Sequence, residues 1–257
     1  YTDGCNWILN MKLNRGKDST GQTWVELNQE LAITKIAQAA GLLSSRQCAT
    51  PTLSGEKLHA TQEGDKPPSE SWSYPSILGG VLYVANLTRP DIAFAANRLT
   101  RYLRKPNDTH CQALKRLVRY MYTTKHIGIR YTSGSHNPFR LTAAADASFA
   151  DCEDTHRSTL GWCQWLGDDT NGSISWGSRI GKNVALSTTE SEVQAALDLL
   201  KDVLWTRDFL AEVGYQQTGS TRILEDNNGC LGQSNATKGL RRARHYLVAL
   251  GALNEAV

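Results

Sequence analysis

Across residues 140–229 the spacing of apolar residues passes from strand-like runs to a helical period and back, and that order leaves few folds open. Residues 140–146, 159–166 and 173–178 are three short apolar-rich runs separated by turn residues, and residues 168–172 read as one hairpin turn. A long helix is expected over about 189–213, with Val193, Ala196, Leu197, Leu200, Leu204 and Phe209 at helical spacing. Residues 221–225 return as a fourth strand, and Asp226-Asn-Asn-Gly229 opens another helix. Strand, strand, strand, helix, strand, helix predicts the α/β (α+β) class, with one mixed sheet and flanking helices packed on it.

The first part of the chain has a different texture. Residues 7–13 alternate like one strand, residues 14–22 are turn-rich, and residues 23–27 form a second strand. A helix over 29–40 carries Ile33, Ile36, Ala37 and Ala40 and is closed by Gly41. Pro51, Pro67, Pro68 and Pro75, with Gly, Ser and charged residues between them, make 44–76 an extended connector. Helical periodicity resumes at Ile77. Thr88-Arg-Pro-Asp91 reads as a helix start, with Thr88 as N-cap, a proline in the first turn and an acid at the positive end of the helix dipole. The helix after it sets Ile92, Ala95, Leu99 and Leu103 on one side, and Arg98, Arg101, Arg104 and Lys105 on the rest. A second helix over about 108–122 buries Leu114, Leu117, Val118 and Met121 and leaves Lys115, Arg116 and Arg119 outside.

The net charge of +3 hides an asymmetry. Residues 1–140 carry 18 Lys and Arg against 10 Asp and Glu, whereas residues 141–257 carry 10 against 15. Within 86–140 there are 11 basic and 2 acidic residues, so the positive charge concentrates on the helical pair. Rows of Lys and Arg suit phosphate contacts with a nucleic-acid backbone, and a solvated helix face is the alternative. At 257 residues the chain is worth one or two domains. It has no run of eighteen apolar residues and no secretory layout at its start, so a membrane span and secretion are not expected. The six cysteines are scattered without a C-x-x-C pair, which suits reduced thiols of an intracellular protein, cytoplasmic or nuclear.

Three carboxylates fall at special places in the second half. Asp146 is expected to end the first strand, Glu192 lies in the first turns of the long helix, and Asp226 sits at the end of the fourth strand. If the first and fourth strands are neighbours, Asp146 and Asp226 emerge side by side with Glu192 reaching over from the helix. Hard divalent cations such as Mg²⁺ want oxygen ligands, and three convergent carboxylates hold one or two of them for attack on a phosphodiester. Acids at strand ends and helix starts also serve as caps and dipole partners, and spacing alone leaves both readings open.

The stretches Tyr74-Pro-Ser-Ile-Leu-Gly-Gly-Val-Leu-Tyr83, Thr88-Arg-Pro-Asp-Ile92, His110, Leu117-Val-Arg-Tyr120, Thr124 and Gly128-Ile-Arg-Tyr131 resemble the region after the reverse-transcriptase palm in Ty1/copia-type retrotransposon Pol polyproteins. Leu27-Asn-Gln29, Gly41 and Thr50-Pro51 are similar to that family's "LSQ…G…TP" stretch. Asp146-Ala-Ser-Phe-Ala150, Arg157-Ser-Thr-Leu-Gly161, Ile174-Ser-Trp176, Ala185-Leu-Ser-Thr-Thr-Glu-Ser-Glu192, Trp205, Glu225-Asp-Asn-Asn-Gly229 and Arg244-His245 resemble, in order, its "DADWA", "RSTTG", "ISW", "ALSTTEAE", "DN" and "KHID" blocks. The resemblance covers essentially the whole chain.

What it implies is a ribonuclease H-like mixed sheet preceded by a small strand pair and a helical thumb and connection region. The expected division is a thumb-like remnant at 1–43, the connector at 44–76, a basic helical connection at 77–132 and a ribonuclease H-like domain at 133–257. The implied activity is cleavage of the RNA strand of RNA/DNA hybrids with two Mg²⁺ (or Mn²⁺) ions. The implied metal ligands and catalytic residues are Asp146, Glu192 and Asp226. Glu192 is preferred over Glu190 because ribonuclease H helices read Glu-x-x-Ala, as Glu192-Val-Gln-Ala195 does; Glu190 is then a helix-start acid. His245 is a candidate for assisting product release, or it packs or binds phosphate. Arg98, Arg101, Arg104, Lys105, Lys115, Arg116 and Arg119 are the expected nucleic-acid contacts, and the remainder of a reverse transcriptase is an expected partner.

The chain departs from the family pattern in three places. "DAD" reads Asp146-Ala-Ser148, "KHID" reads Arg244-His-Tyr-Leu247, and Val257 comes before the "AD…TK" tail, so a fourth acid is absent where the resemblance would place one. No Tyr-x-Asp-Asp polymerase motif occurs, and Tyr1-Thr-Asp-Gly4 aligns better with the "DLG" stretch after the palm. The rival expectations are an inactive nucleic-acid-binding module and a protein-interaction scaffold.

Overall fold

The alternating stretch 7–13, expected as one strand, folds back on itself in the computed structural model. Leu9 (φ 46°) and Asn10 (φ 61°) sit in the left-handed region and form a two-residue turn. Leucine is a poor occupant of that region, and the Tyr83 hydroxyl donates to the Leu9 carbonyl oxygen at 2.8 Å to hold it. The hairpin joins β1 (Trp7–Ile8) to β2 (Met11–Lys17), which takes in residues expected as turn. The structure describes residues 5–134, 139–167 and 171–230, and the chain divides into two units, Tyr1–Ser133 and Gly134–Val257.

In the first unit β2 pairs with β3 (Thr23–Asn28) and β3 with β4 (Ile129–Thr132), an antiparallel sheet in the order β1-β2-β3-β4. Four helices, α1 (Glu30–Ala39), α2 (Tyr74–Leu87), α3 (Ala93–Thr100) and α4 (Asp108–Thr123), share one core. The apolar positions read from the sequence supply it: Ile33 and Ala37, then Ile92, Ala95 and Leu99, then Leu114, Leu117, Val118 and Met121. The stretch 44–73 has no helix or strand, yet it is no free spacer. Leu58 is buried in the same core, and its carbonyl accepts from the Tyr102 hydroxyl at 2.8 Å.

Thr88 does not cap a helix start. It closes α2, and its hydroxyl donates to Gln29 Oε1 at 2.8 Å, both residues being buried. A 3₁₀ turn, Pro90–Ile92, precedes α3, and no side chain caps it. Arg89 overrides the local signal. Its buried guanidinium donates to both carboxylate oxygens of Asp91 (2.8 and 2.7 Å) and to Thr124 O and Oγ1 (3.1 and 2.7 Å), because a buried charge needs all its donors met. The strongest cap belongs to α4. Asn107 Oδ1 accepts from the His110 N–H at 3.1 Å, and His110 Nδ1 accepts from the Asn107 N–H at 3.0 Å, a reciprocal box.

The second unit has the expected mixed sheet. β5 (Leu141–Ser148), β6 (Thr159–Leu166) and β7 (Ser173–Ile180) form an antiparallel meander, and β8 (Arg222–Leu224) joins β5 in parallel, giving the order β7-β6-β5-β8. The parallel pair needs a crossover, and α5 (Thr188–Glu212) is that crossover. Val193, Ala196, Leu199, Leu200, Val203 and Leu210 of α5 pack against Leu141, Ala143, Ala145 and Leu160. Residues 228–230 are helical at the edge of the described chain, and the Asn227 side chain accepts from the Cys230 N–H at 3.0 Å.

Both sheets use one device. Trp24 of β3 lies over Gly16 of β2, where a Cβ would fall 2.5 Å from the indole Cζ2, and Trp162 of β6 lies over Gly177 of β7 in the same way. Arg130 and Arg179 then cover the two indoles, at 4.2 and 5.7 Å from ring to guanidinium. Among the described residues no helix is long and apolar enough to cross a membrane, and none of the six cysteines is in a disulfide.

Candidate metal centre

Asp146 does not end β5; it lies two residues before the end, because β6 goes on pairing through Ala147 and Ser148. The edge that matters is on the other side. β8 stops at Leu224, opposite Ala144, so continuing the parallel register by two residues brings Asp226 beside Asp146. Across the β6 edge Asp146 faces Gly161, which adds no side chain there. The crossover helix supplies the third acid. Ser187 caps α5 by accepting from the Glu190 N–H at 3.1 Å, and Glu190 Oε2 accepts from the Leu186 N–H at 2.7 Å. Glu190 is thus committed to the helix start, which leaves Glu192 to face the strands.

Carboxylate oxygens of Asp146, Glu192 and Asp226 all lie within 4.8 Å of one another. Asp146 and Asp226 are exposed, whereas Glu192 is 6% exposed and its Oε2 has no hydrogen-bond partner among the described residues. Burial pushes the Glu192 carboxyl up to about 7, and the like charges of Glu225, Asp146 and Asp226 push in the same direction, against a backbone hydrogen bond from Ala147. Arg179 and Lys201 of this unit pair with Asp198 and leave the cluster out. An all-oxygen donor set with one buried, unsatisfied member and no cation beside it fits a hard divalent ion.

Glu225 is the residue that sequence reasoning passed over. It too is raised by burial, and by Asp226 and Asp146, and its Oε2 is buried without a partner among the described residues. Its place directly before Asp226, where β8 has ended, was the available signal.

The seven basic candidates are all on the first unit, and the structure engages several of them. Arg98 donates to the Glu56 carbonyl at 2.9 Å and stands 3.9 Å from its carboxylate. Lys115 pairs with Glu70 at 2.7 Å, and Arg116 donates to Thr50 Oγ1 at 2.7 Å. Arg101 and Arg119 are half-buried, and Arg104 and Lys105 are exposed. The acids that meet Arg98 and Lys115, Glu56 and Glu70, come from the 44–73 stretch, while Lys125 and Arg130 are met by Glu30 of α1 and Glu26 of β3. His245 and its block lie outside the described residues, as do residues 168–170 of the expected hairpin turn.

The chain is 34% identical over 205 residues to a retrovirus-related Pol polyprotein from transposon RE2 of Arabidopsis thaliana, covering 80% of this chain and 14% of that protein. It is 34% identical over 215 residues to the corresponding polyprotein from transposon TNT 1-94 of Nicotiana tabacum, covering 82% of this chain and 15% of that one. A putative transposon Ty5-1 protein of Saccharomyces cerevisiae is 30% identical over 192 residues, 74% of this chain and 59% of its own length. No family model matches the chain, and no solved structure matches it. The chain spans about a seventh of the length of the curated Pol polyproteins it matches. It is a homologue of one segment of the retrovirus-related Pol polyproteins of transposons.

Proposed function

We propose that this chain is a ribonuclease H, cutting the RNA strand of RNA/DNA hybrids with two Mg²⁺ or Mn²⁺ ions held by Asp146, Glu192 and Asp226. The observation that carries the reading is the convergence of those three carboxylates from β5, α5 and the end of β8, with no cation beside them among the described residues. When bound, such ions activate a water and offset charge on the scissile phosphate. The chain's own residues do the positioning. Ser187 and Glu190 fix the start of α5, and with it the Glu192 carboxylate, while exposed Asp146 and Asp226 present oxygens where a phosphate backbone can approach. Arg104 and Lys105, the exposed members of the basic row, would hold backbone phosphates without reading bases. The remainder of a reverse transcriptase, which the longer relatives suggest, is the proposed protein partner.

The test is cleavage of a labelled RNA/DNA hybrid with Mg²⁺ or Mn²⁺, comparing the chain with Asp146→Asn and Asp226→Asn. Metal-dependent cutting lost in both variants supports the reading. Salt-sensitive hybrid binding without cutting replaces it with a binding module, a reading that Leu247 in the "KHID" block favours.

A further inference from the structure

At the opposite end of β5 from Asp146, residues 139–140 and the loop 214–220 line a cavity of about 450 Å³. From Arg140 to Asp146 the chain runs roughly 20 Å along the strand, so the cavity is separate from the acid cluster. Gly214, at φ 91°, ends α5: its N–H donates to the Ala211 carbonyl at 3.1 Å, and the Tyr215 N–H donates to the Leu210 carbonyl at 2.7 Å. The Tyr215 ring stacks on the Phe139 ring, with centroids 3.9 Å apart and planes 21° from parallel. Beyond this turn every second carbonyl is tied down. Gln217 Nε2 donates to Tyr215 O at 3.1 Å, and Arg207 donates to Gln217 O at 3.2 Å and to Gly219 O at 2.9 Å. A trans peptide aims its N–H away from its C=O, and no peptide bond here is cis. The same three peptide units therefore turn the N–H groups of Gln216, Thr218 and Ser220 away from Arg207 and the Gln217 amide, and none of the three has an acceptor among the described residues. All three residues line the cavity together with exposed Arg140, and no acid is among the lining residues.

We propose that this cavity binds the phosphate of a nucleotide. Arg140 and the N–H groups of Gln216, Thr218 and Ser220 hold the phosphate, and the Phe139–Tyr215 pair offers a ring face to the base. The donor set carries the class of ligand. A guanidinium and several backbone N–H groups on one cavity, with no carboxylate beside them, suit an anion with several acceptor oxygens and repel a cation. The aromatic pair adds a platform on which any base stacks, and the volume falls in the range of small-ligand sites. A free nucleotide and a nucleotide within a strand share this chemistry. The proposal stands apart from the reading of the acid cluster as a cation site.

The experiment is titration of the full isotope-labelled chain, free of divalent ions, with inorganic phosphate, adenosine monophosphate and a short oligoadenylate, read by amide NMR signals and calorimetry. The signals of Gln216, Thr218 and Ser220 should shift and saturate with each ligand. Adenosine monophosphate should bind about tenfold more tightly than phosphate through its base. Arg140→Gln should weaken every ligand by about tenfold. Phe139→Leu should remove the nucleotide's advantage and leave phosphate affinity unchanged. Arg140 is exposed, and an unchanged melting temperature of Arg140→Gln checks that the fold is kept. Oligoadenylate that moves the three amides at lower concentration than the monophosphate, and more so at low salt, assigns the site to a nucleic-acid strand; the reverse order assigns it to a free nucleotide. Phosphate and nucleotide that leave the three amides unmoved, or affinities that Arg140→Gln does not change, overturn the proposal and leave the metal centre untouched.

Discussion

In residues 1–133 the cations have acids within reach: Arg89 with Asp91, Arg98 with Glu56, Lys115 with Glu70, Lys125 with Glu30 and Arg130 with Glu26. In the second unit Asp146, Glu192 and Asp226 gather instead, and Arg179 and Lys201 pair with Asp198, away from them. The basic half of the chain therefore spends much of its charge on holding itself together, whereas the acidic half leaves charge unmatched where three elements meet. Folding alone does not favour the second arrangement, since like charges near a buried Glu192 work against the folded state. Unmatched charge is thus a better pointer to function than a segment's net charge.

The largest expected effect tests the unmatched side. Asp146→Asn should lower hybrid cleavage by on the order of 10³-fold, since several kcal/mol of transition-state stabilisation depend on the ions it holds, and metal-free stability should not fall. A variant that still cuts at the wild-type rate would remove the site. The next effect tests the matched side. Arg89→Met should cost the first unit about 3 kcal/mol in urea unfolding, the low end for breaking a buried pair because Asp91 keeps 35% exposure. A loss below about 1 kcal/mol would mean that this pair is not structural.

A pH series sharpens the contrast. The Glu192 carboxyl is raised in the folded chain from 4.5 to about 7, so the folded state binds the extra proton. Without metal, the stability from this group is full below about pH 4.5 and is lost as pH rises through about 7, a fall of about 1–3 kcal/mol. Mg²⁺ at pH 7.5 should restore it, and melting curves with and without the ion check this. Metal-free stability that rises across that window would contradict the site's electrostatics. The smallest effect is Lys115→Ala. It should cost about 0.5–1 kcal/mol and barely change hybrid affinity, whereas Arg104→Ala with Lys105→Ala should lower affinity and flatten its salt dependence. Equal salt slopes for the two variants would show that pairing with Glu70 does not set Lys115 apart.

Reading the sequence worked where the signal is local. The period change at α5, the turn residues between β5 and β8 and the helical spacing of Leu114, Leu117, Val118 and Met121 are all set by residues within a few positions of one another. It was incomplete where partners are distant. Arg98 and Lys115 meet acceptors 42 and 45 residues away, and no count over 86–140 can see them. Leu9 and Asn10 carry no Gly to announce a turn; the hydroxyl that holds it comes from Tyr83, 74 residues on. Thr88 has the chemistry of a cap, but the nearby buried Gln29 was the stronger claimant.

The sequence by itself determined the mixed α/β order, the crossover helix and the three acids Asp146, Glu192 and Asp226, because period and residue type are written into neighbouring positions. Only the tertiary structure decided which acids face one another and which cations are already used. Those outcomes depend on distance and burial between segments far apart in the chain, where Coulomb and desolvation energies are set by the fold and not by spacing.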